Sequence, residues 1–154
     1  MSNIEFSKAK LSDIENMQKL VIPEVEAGLI LARSSDEIAT NIRSYILAKE
    51  DSEIVGFCAL HIHTPSLAEI RSLVVKESKR GQKIGQNLVL KAIEEAQILG
   101  LQKVLSLTYR QHFFENLGFV EIPKESLPEH KIWADCIKCK HFPVCNEVSL
   151  IKTL

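Results

Sequence analysis

The chain has 154 residues, enough for one domain with one core over 1–154 and too few for two full domains. Apolar residues make up 45% and charged residues 25%, and 19 basic against 20 acidic side chains leave a net charge of −1, so no bulk charge draws the chain to nucleic acid or an anionic membrane. The N-terminal stretch lacks the apolar core of a secretion signal and no run of about 18 apolar residues occurs, so a cytoplasmic location is expected; four cysteines there read as thiols or metal ligands rather than disulfides.

Residues 3–10 alternate in strand fashion, and Ser12 or Asp13 then opens a helix in which Ile14, Met17, Val21 and Val25 recur at helical spacing. Pro23 is expected to kink or end that helix. Residues 28–35 read as a loop, and Asp36 and Glu37 open a second short helix. Strands are expected over 44–50, 53–63 and 67–75, with turns at Asp51-Ser52 and Pro65-Ser66. Ile84, Leu88, Ala92, Ile93, Ala96 and Leu99 then mark an amphipathic helix that Gly100 stops. A strand over 103–109, a short helix over 111–116 and a last strand after Gly118-Phe119 follow. Residues 131–154, with three cysteines and Trp133, give no clear element. This order is that of an α/β chain whose central part alternates.

The most informative stretch runs from the strand ending at Val75, through a polar loop with Arg80 and Gly81, into the long helix. Amides at a helix N-terminus are unpaired and carry partial positive charge, which suits a pyrophosphate. Gly81 and Gly85 would allow close approach, and Arg80 and Lys83 would add charge. Read alone, the same stretch is also an ordinary loop ahead of a helix, and it is neither a Walker loop nor a dinucleotide fingerprint.

The run Arg80-Gly81-Gln82-Lys83-Ile84-Gly85, followed by Gln86, resembles the acetyl-CoA loop of the GNAT acetyltransferases, Arg/Gln-x-x-Gly-x-Gly/Ala. Lys83 stands where the first motif glycine is expected, so a larger side chain there either shifts the backbone or reaches the phosphates. Downstream, residues 111–119, QHFFENLGF, resemble the family's aromatic-x-x-x-Gly-Phe block. The resemblance implies a GNAT fold of the α/β (α+β) kind, a mixed central sheet of about six to seven strands flanked by helices. It also implies acetyl-CoA as co-substrate, with its pantetheine arm against the backbone of Leu73, Val74 and Val75.

Three arginines stand near the strands that would form the site: Arg33, Arg71 and Arg110. Each alone reads as a solvated surface residue; together they suit a dicarboxylate, since a guanidinium grips carboxylate at two points. The stretches 28–35, 69–71 and 107–114 resemble the acetyltransferase domain of N-acetylglutamate synthases, and residues 133–147 resemble the C-terminal segment of short bacterial members. That resemblance implies L-glutamate as acceptor, in the first step of arginine biosynthesis, with Arg33 and Arg110 on its carboxylates and Arg71 assisting. Longer synthases carry an arginine-binding kinase-like domain for which this sequence has no room.

The acceptor's ammonium must lose a proton before attacking the thioester, directly or through water. Glu69 matches the glutamate proposed as base in the family, and its bland alternative is a strand-face carboxylate or a partner of Arg71. His61 and His63, alternating on one strand face, are weaker candidates. A backbone amide near Leu73 or Val74 would steady the oxyanion. Tyr109 is a candidate acid for the thiolate, or else a core-edge aromatic, and Cys58 reads as a small buried hydrophobe. Cys136, Cys139, His141 and Cys145 offer a Cys3His set suited to a structural zinc, against a cluster with one open iron position or plain reduced thiols. Other amine acceptors, and a non-catalytic CoA-binding module, remain open on the sequence. A homodimer through exposed strands is compatible with it.

Overall fold

The computed structural model describes residues 3–123 and 147–154. Its elements are β1 (Ile4–Lys8), α1 (Ile14–Glu26), α2 (Ser35–Thr40), β2 (Tyr45–Glu50), β3 (Glu53–Ile62), β4 (Leu67–Val75), α3 (Ile84–Leu99), β5 (Lys103–Thr108), α4 (Gln111–Glu115), β6 (Val120–Ile122) and β7 (Val148–Thr153). The strands form one seven-stranded sheet in the order β1-β2-β3-β4-β5-β7-β6. Only β4 and β5 run parallel, joined by the α3 crossover; the other neighbours are antiparallel. This is the mixed, helix-flanked sheet expected.

Both faces of the sheet are covered. Leu88, Val89, Ala92 and Ala96 of α3 pack on Ile46, Cys58, Leu60, Ala68, Ile70 and Val104. Met17 of α1 and Ile38 of α2 pack on Tyr45, Leu47, Phe57, Ala59 and Val74 on the other face. β3 is therefore buried almost end to end, which is why its sequence reads as a near-continuous apolar run rather than an alternation.

Three expectations are corrected. Pro23 neither ends nor breaks α1, which runs on to Glu26 while the Ala27 amide donates to Pro23 O at 3.0 Å. Pro23 lies in the last turn, where the amide it lacks costs a single intrahelical bond. The strand after Gly118-Phe119 is not the last: β6 is the sheet edge, and β7, from the segment without a clear element, inserts between β5 and β6. The β2 strand begins at Tyr45, after a single 3-10 turn over Ile42–Ser44. Gly100 does stop α3, in the left-handed conformation at φ 85°.

Gly56 lets α3 press on the sheet where β4 ends. A Cβ there would lie 2.9 Å from Val74 O and 3.3 Å from Leu88 Cδ1. Gly56→Ala is expected to destabilise the fold by about 1–3 kcal/mol, the usual range for overpacking. Urea unfolding should show a lower midpoint at an unchanged m-value.

Candidate active site

The site is made by two strands that part company. The β4–β5 ladder covers only Leu67 to Glu69 against Lys103 to Leu105. From Ile70 onward the strands diverge, and the gap is a cleft lined by Arg71, Ser72, Leu73, Thr108, Tyr109 and Arg110, with Ile30 and Glu24 from the α1 side. On its other edge, β4 carries a bulge. Phe57 faces Val74 and Ala59 faces Arg71, so Ser72 and Leu73 together oppose Cys58. Ser72 sits at φ 58°, a left-handed conformation that costs a residue with a Cβ roughly 1–2 kcal/mol. The extra residue reverses the strand's alternation, so that Arg71 before it and Val74 after it face the α1 side.

The carboxyl end of β4 leads through a 3-10 turn at Glu77–Lys79 to Gly81 and Lys83, both with positive φ (85° and 63°). Lys83 thus follows the left-handed path of a glycine, as N-cap of α3, and keeps an exposed side chain. The first i−4 bond of α3 is Asn87 N to Lys83 O, 3.0 Å, so the preceding amides of Ile84, Gly85 and Gln86 belong to the open first turn. Nothing lies within 4 Å of where a Gly81 Cβ would be. Open first-turn amides are the kind of donor that suits an anion. A Cβ on Gly85 would meet Phe113 and Val75 at 3.6 Å, an ordinary packing contact.

Arg80 does not point into open solvent. Its Nε donates to Val75 O at 3.3 Å, and its guanidinium pairs with Glu24 Oε1 at 2.7 Å. Glu24, in the last turn of α1, has its other carboxylate oxygen buried without a hydrogen bond. The pair ties the last turn of α1, which lines the cleft at Glu24, to the loop after β4. No feature of the sequence picks out Glu24, because its partner is 56 residues away.

Two of the arginines, Arg33 and Arg71, lie near one further residue, Tyr45. A small hollow adjoining the cleft, with which it shares Ile30 and Ser72, is lined by Arg33, Tyr45, Phe57 and Gln18. Burial pushes the Tyr45 hydroxyl above its ordinary range, and the charges of Arg33 and Arg71 pull the other way, which puts both guanidiniums in its surroundings. Arg33 is fixed by the helix start beside it. Ser34 Oγ accepts from Glu37 N at 3.1 Å, Ser34 N donates to Glu37 Oε1 at 3.4 Å, and Arg33 lies 3.7 Å from Glu37 Oε2. Arg110 is the N-cap of α4, its amide donating to Thr108 Oγ1 at 2.9 Å, and is exposed at the far wall. Tyr109 beside it is 38% exposed, not the core-edge aromatic of the bland reading.

Glu69 is set back from the cleft lining, where β4 and β5 separate, and is 1% exposed. Its Oε1 lies 2.9 Å from His63 Nε2. His61, directly opposite Glu69 on β3, stacks edge-to-face on His63 with ring centroids 4.9 Å apart. Cys58 is wholly buried against α3, and burial pushes its thiol up to about 12. Cys136, Cys139, His141 and Cys145 lie outside the described residues. Among the described residues, no group of three or more His, Cys, Asp or Glu is placed to hold a metal ion, and no helix is long and apolar enough to cross a membrane.

The family model for the Acetyltransferase (GNAT) family matches residues 13–119, and the chain belongs to that family. Its reaction is acetyl transfer from acetyl-CoA to an amine. An uncharacterized N-acetyltransferase of Chlorobaculum tepidum is 37% identical over 95% of this chain and 94% of its own length. An amino-acid acetyltransferase of Aeromonas salmonicida is 30% identical over 78% of this chain, which spans only 28% of that relative. The N-acetylglutamate synthase of Neisseria gonorrhoeae, in a structure with coenzyme A and N-acetyl-glutamate, superposes with a TM-score of 0.89 at 22% identity, over 100% of this chain and 36% of that one.

Breaking the Arg80–Glu24 pair should free the Arg80 guanidinium for the donor. Glu24→Gln is expected to lower the KM for acetyl-CoA by up to about fivefold, matching the ~1 kcal/mol ceiling of a partly exposed pair; steady-state kinetics at fixed acceptor would measure it. In the folded protein at pH 8, Cys58 should stay unmodified by iodoacetamide over hours and react once urea unfolds the chain, as peptide mass spectrometry would report.

Proposed function

We propose that the chain acetylates the α-amino group of L-glutamate. What supports this reading is that Arg71 and Arg110 line the cleft beside the diverging strands, while Arg33 lines the small hollow that adjoins it. Three guanidiniums suit an acceptor with two carboxylates and would repel a polyamine or a lysine side chain. The amino-acid acetyltransferases among the relatives, and the neighbouring synthase bound to N-acetyl-glutamate, support the same acceptor class.

In this reading the amides from Gly81 to Gln86 hold the diphosphate of acetyl-CoA, with Arg80, once it leaves Glu24, and Lys83 adding charge. The pantetheine arm lies along Leu73, Val74 and Val75, where β4 has left β5. Arg33 and Arg110 hold the glutamate carboxylates and Arg71 assists. Glu69, through water, takes the ammonium proton. The amine attacks the thioester carbonyl, a backbone amide at Leu73 or Val74 steadies the oxyanion, and Tyr109 protonates the departing thiolate. Overall an ammonium and a thioester become an amide, a thiol and one free proton.

The test is thiol release from acetyl-CoA against all twenty amino acids and a polyamine. Glutamate should turn over fastest. Arg110→Ala should raise the KM for glutamate about ten- to a hundredfold, the loss of ~1.5–3 kcal/mol of charge-assisted bonding, and leave the KM for acetyl-CoA unchanged. Turnover with a basic amine and none with glutamate would overturn the acceptor. Coenzyme A binding without turnover of any amine would leave a binding module.

A further inference from the structure

Glu69 and His63 form a pair that acetyl transfer in general does not require, buried where a solitary carboxylate is costly. Both side chains are 2% exposed, and Nε2 stands 2.9 Å from Oε1. Taking an ionised carboxylate out of water without a donor disfavours the charged form strongly, yet a base is useful only when ionised. The fold places the imidazole with some care. The chain turns just past β3, with His63 N donating to Leu67 O at 2.9 Å and Thr64 Oγ1 accepting from Leu67 N at 3.0 Å. That turn brings His63 back over β4, and the ring of His61 walls its other side. With a carboxylate at 2.9 Å, the hydrogen of the neutral imidazole belongs on Nε2.

We infer that His63 is the positioning residue of the base: its Nε2–H donates to Oε1 of Glu69, fixes the buried carboxylate in place and favours its ionised form. The inference rests on the reading of Glu69 as base. When the ammonium N–H bond breaks, its electron pair stays on nitrogen and its proton passes through water to the Glu69 carboxylate. The proton returns to solvent after the amide and the thiol have left, and the imidazole neither gains nor loses one. Among the described residues, the titratable or charged groups on this side of the sheet include His61 on β3, Arg71 on β4, Tyr45 on β2 and Arg33 ahead of α2; the residue opposite Glu69 on β5 is the apolar Leu105.

The experiment uses three variants of the full chain, each checked for folding by circular dichroism, with kinetics at saturating acetyl-CoA and the amine found to turn over. His63→Leu fills the space without a donor. Its kcat should fall about ten- to a hundredfold, within the range of general-base effects, with both KM values within about twofold, and the acid limb of kcat should move to higher pH. His63→Gln places an amide N–H near the same spot and should recover most of the lost kcat at the original limb. Glu69→Gln should fall at least as far as His63→Leu. If Glu69→Gln keeps wild-type kcat, the base reading fails and this inference with it. If Glu69→Gln is crippled while His63→Leu is unaffected, or while the Leu and Gln variants are lowered alike, the base stands and His63 serves only packing.

Discussion

Two neighbouring backbones stop bonding to one another, and the function follows from that. Parallel strands joined by a crossover helix ordinarily keep a continuous ladder. Here β4 and β5 hold theirs for three residue pairs and then separate. The peptide groups of β4 beyond that point face an opening instead of a strand, which is costly unless something else takes up their bonding capacity. An acyl carrier with amide groups of its own can do so. The cleft is the space two strands enclose when they diverge from a shared root.

That opening reaches both sides of the sheet. On the α3 side lies the turn into the helix, with its first-turn amides and its left-handed Gly81 and Lys83. On the α1 side lie Arg33, Tyr45 and Arg71. The bulge at Ser72 links the two. Without its extra residue, strand alternation would put Arg71 and Val75 on the same face; with it, Arg71 joins the arginines while Val75 packs under α3. Ser72 carries backbone strain to achieve this, and strained backbone persists where the surrounding structure over-determines it, often at functional sites.

Legibility in the sequence followed how local each cause was. The α3 helix could be read because its apolar spacing, its glycine stop and its loop lie within one continuous stretch. The family resemblance could be read because both of its blocks are short and ordered. The strand over 148–153 was hidden because its place depends on β5 and β6, which no nearby residue reveals. Tyr45 begins the run Tyr-Ile-Leu-Ala and looks like core; only the folded chain brings two arginines to it. The role of Glu24 is equally remote, resting on a partner in the loop after β4. The effect of Pro23 depends on its position within the helix, and α1 runs three residues beyond it, to Glu26.

The placement of β7 bears on how wide the cleft stands. Along one flank β5 is bonded to β7 over all six of its residues, Lys103 to Thr108; along the other it is tied to β4 only at its root. Mechanically β5 is a cantilever, braced from outside the opening. The tip that carries Tyr109 and Arg110 is steadied by a strand from the far end of the chain. Substitutions in β7 that never touch a ligand would therefore alter the spacing between the arginine on one wall and those on the other.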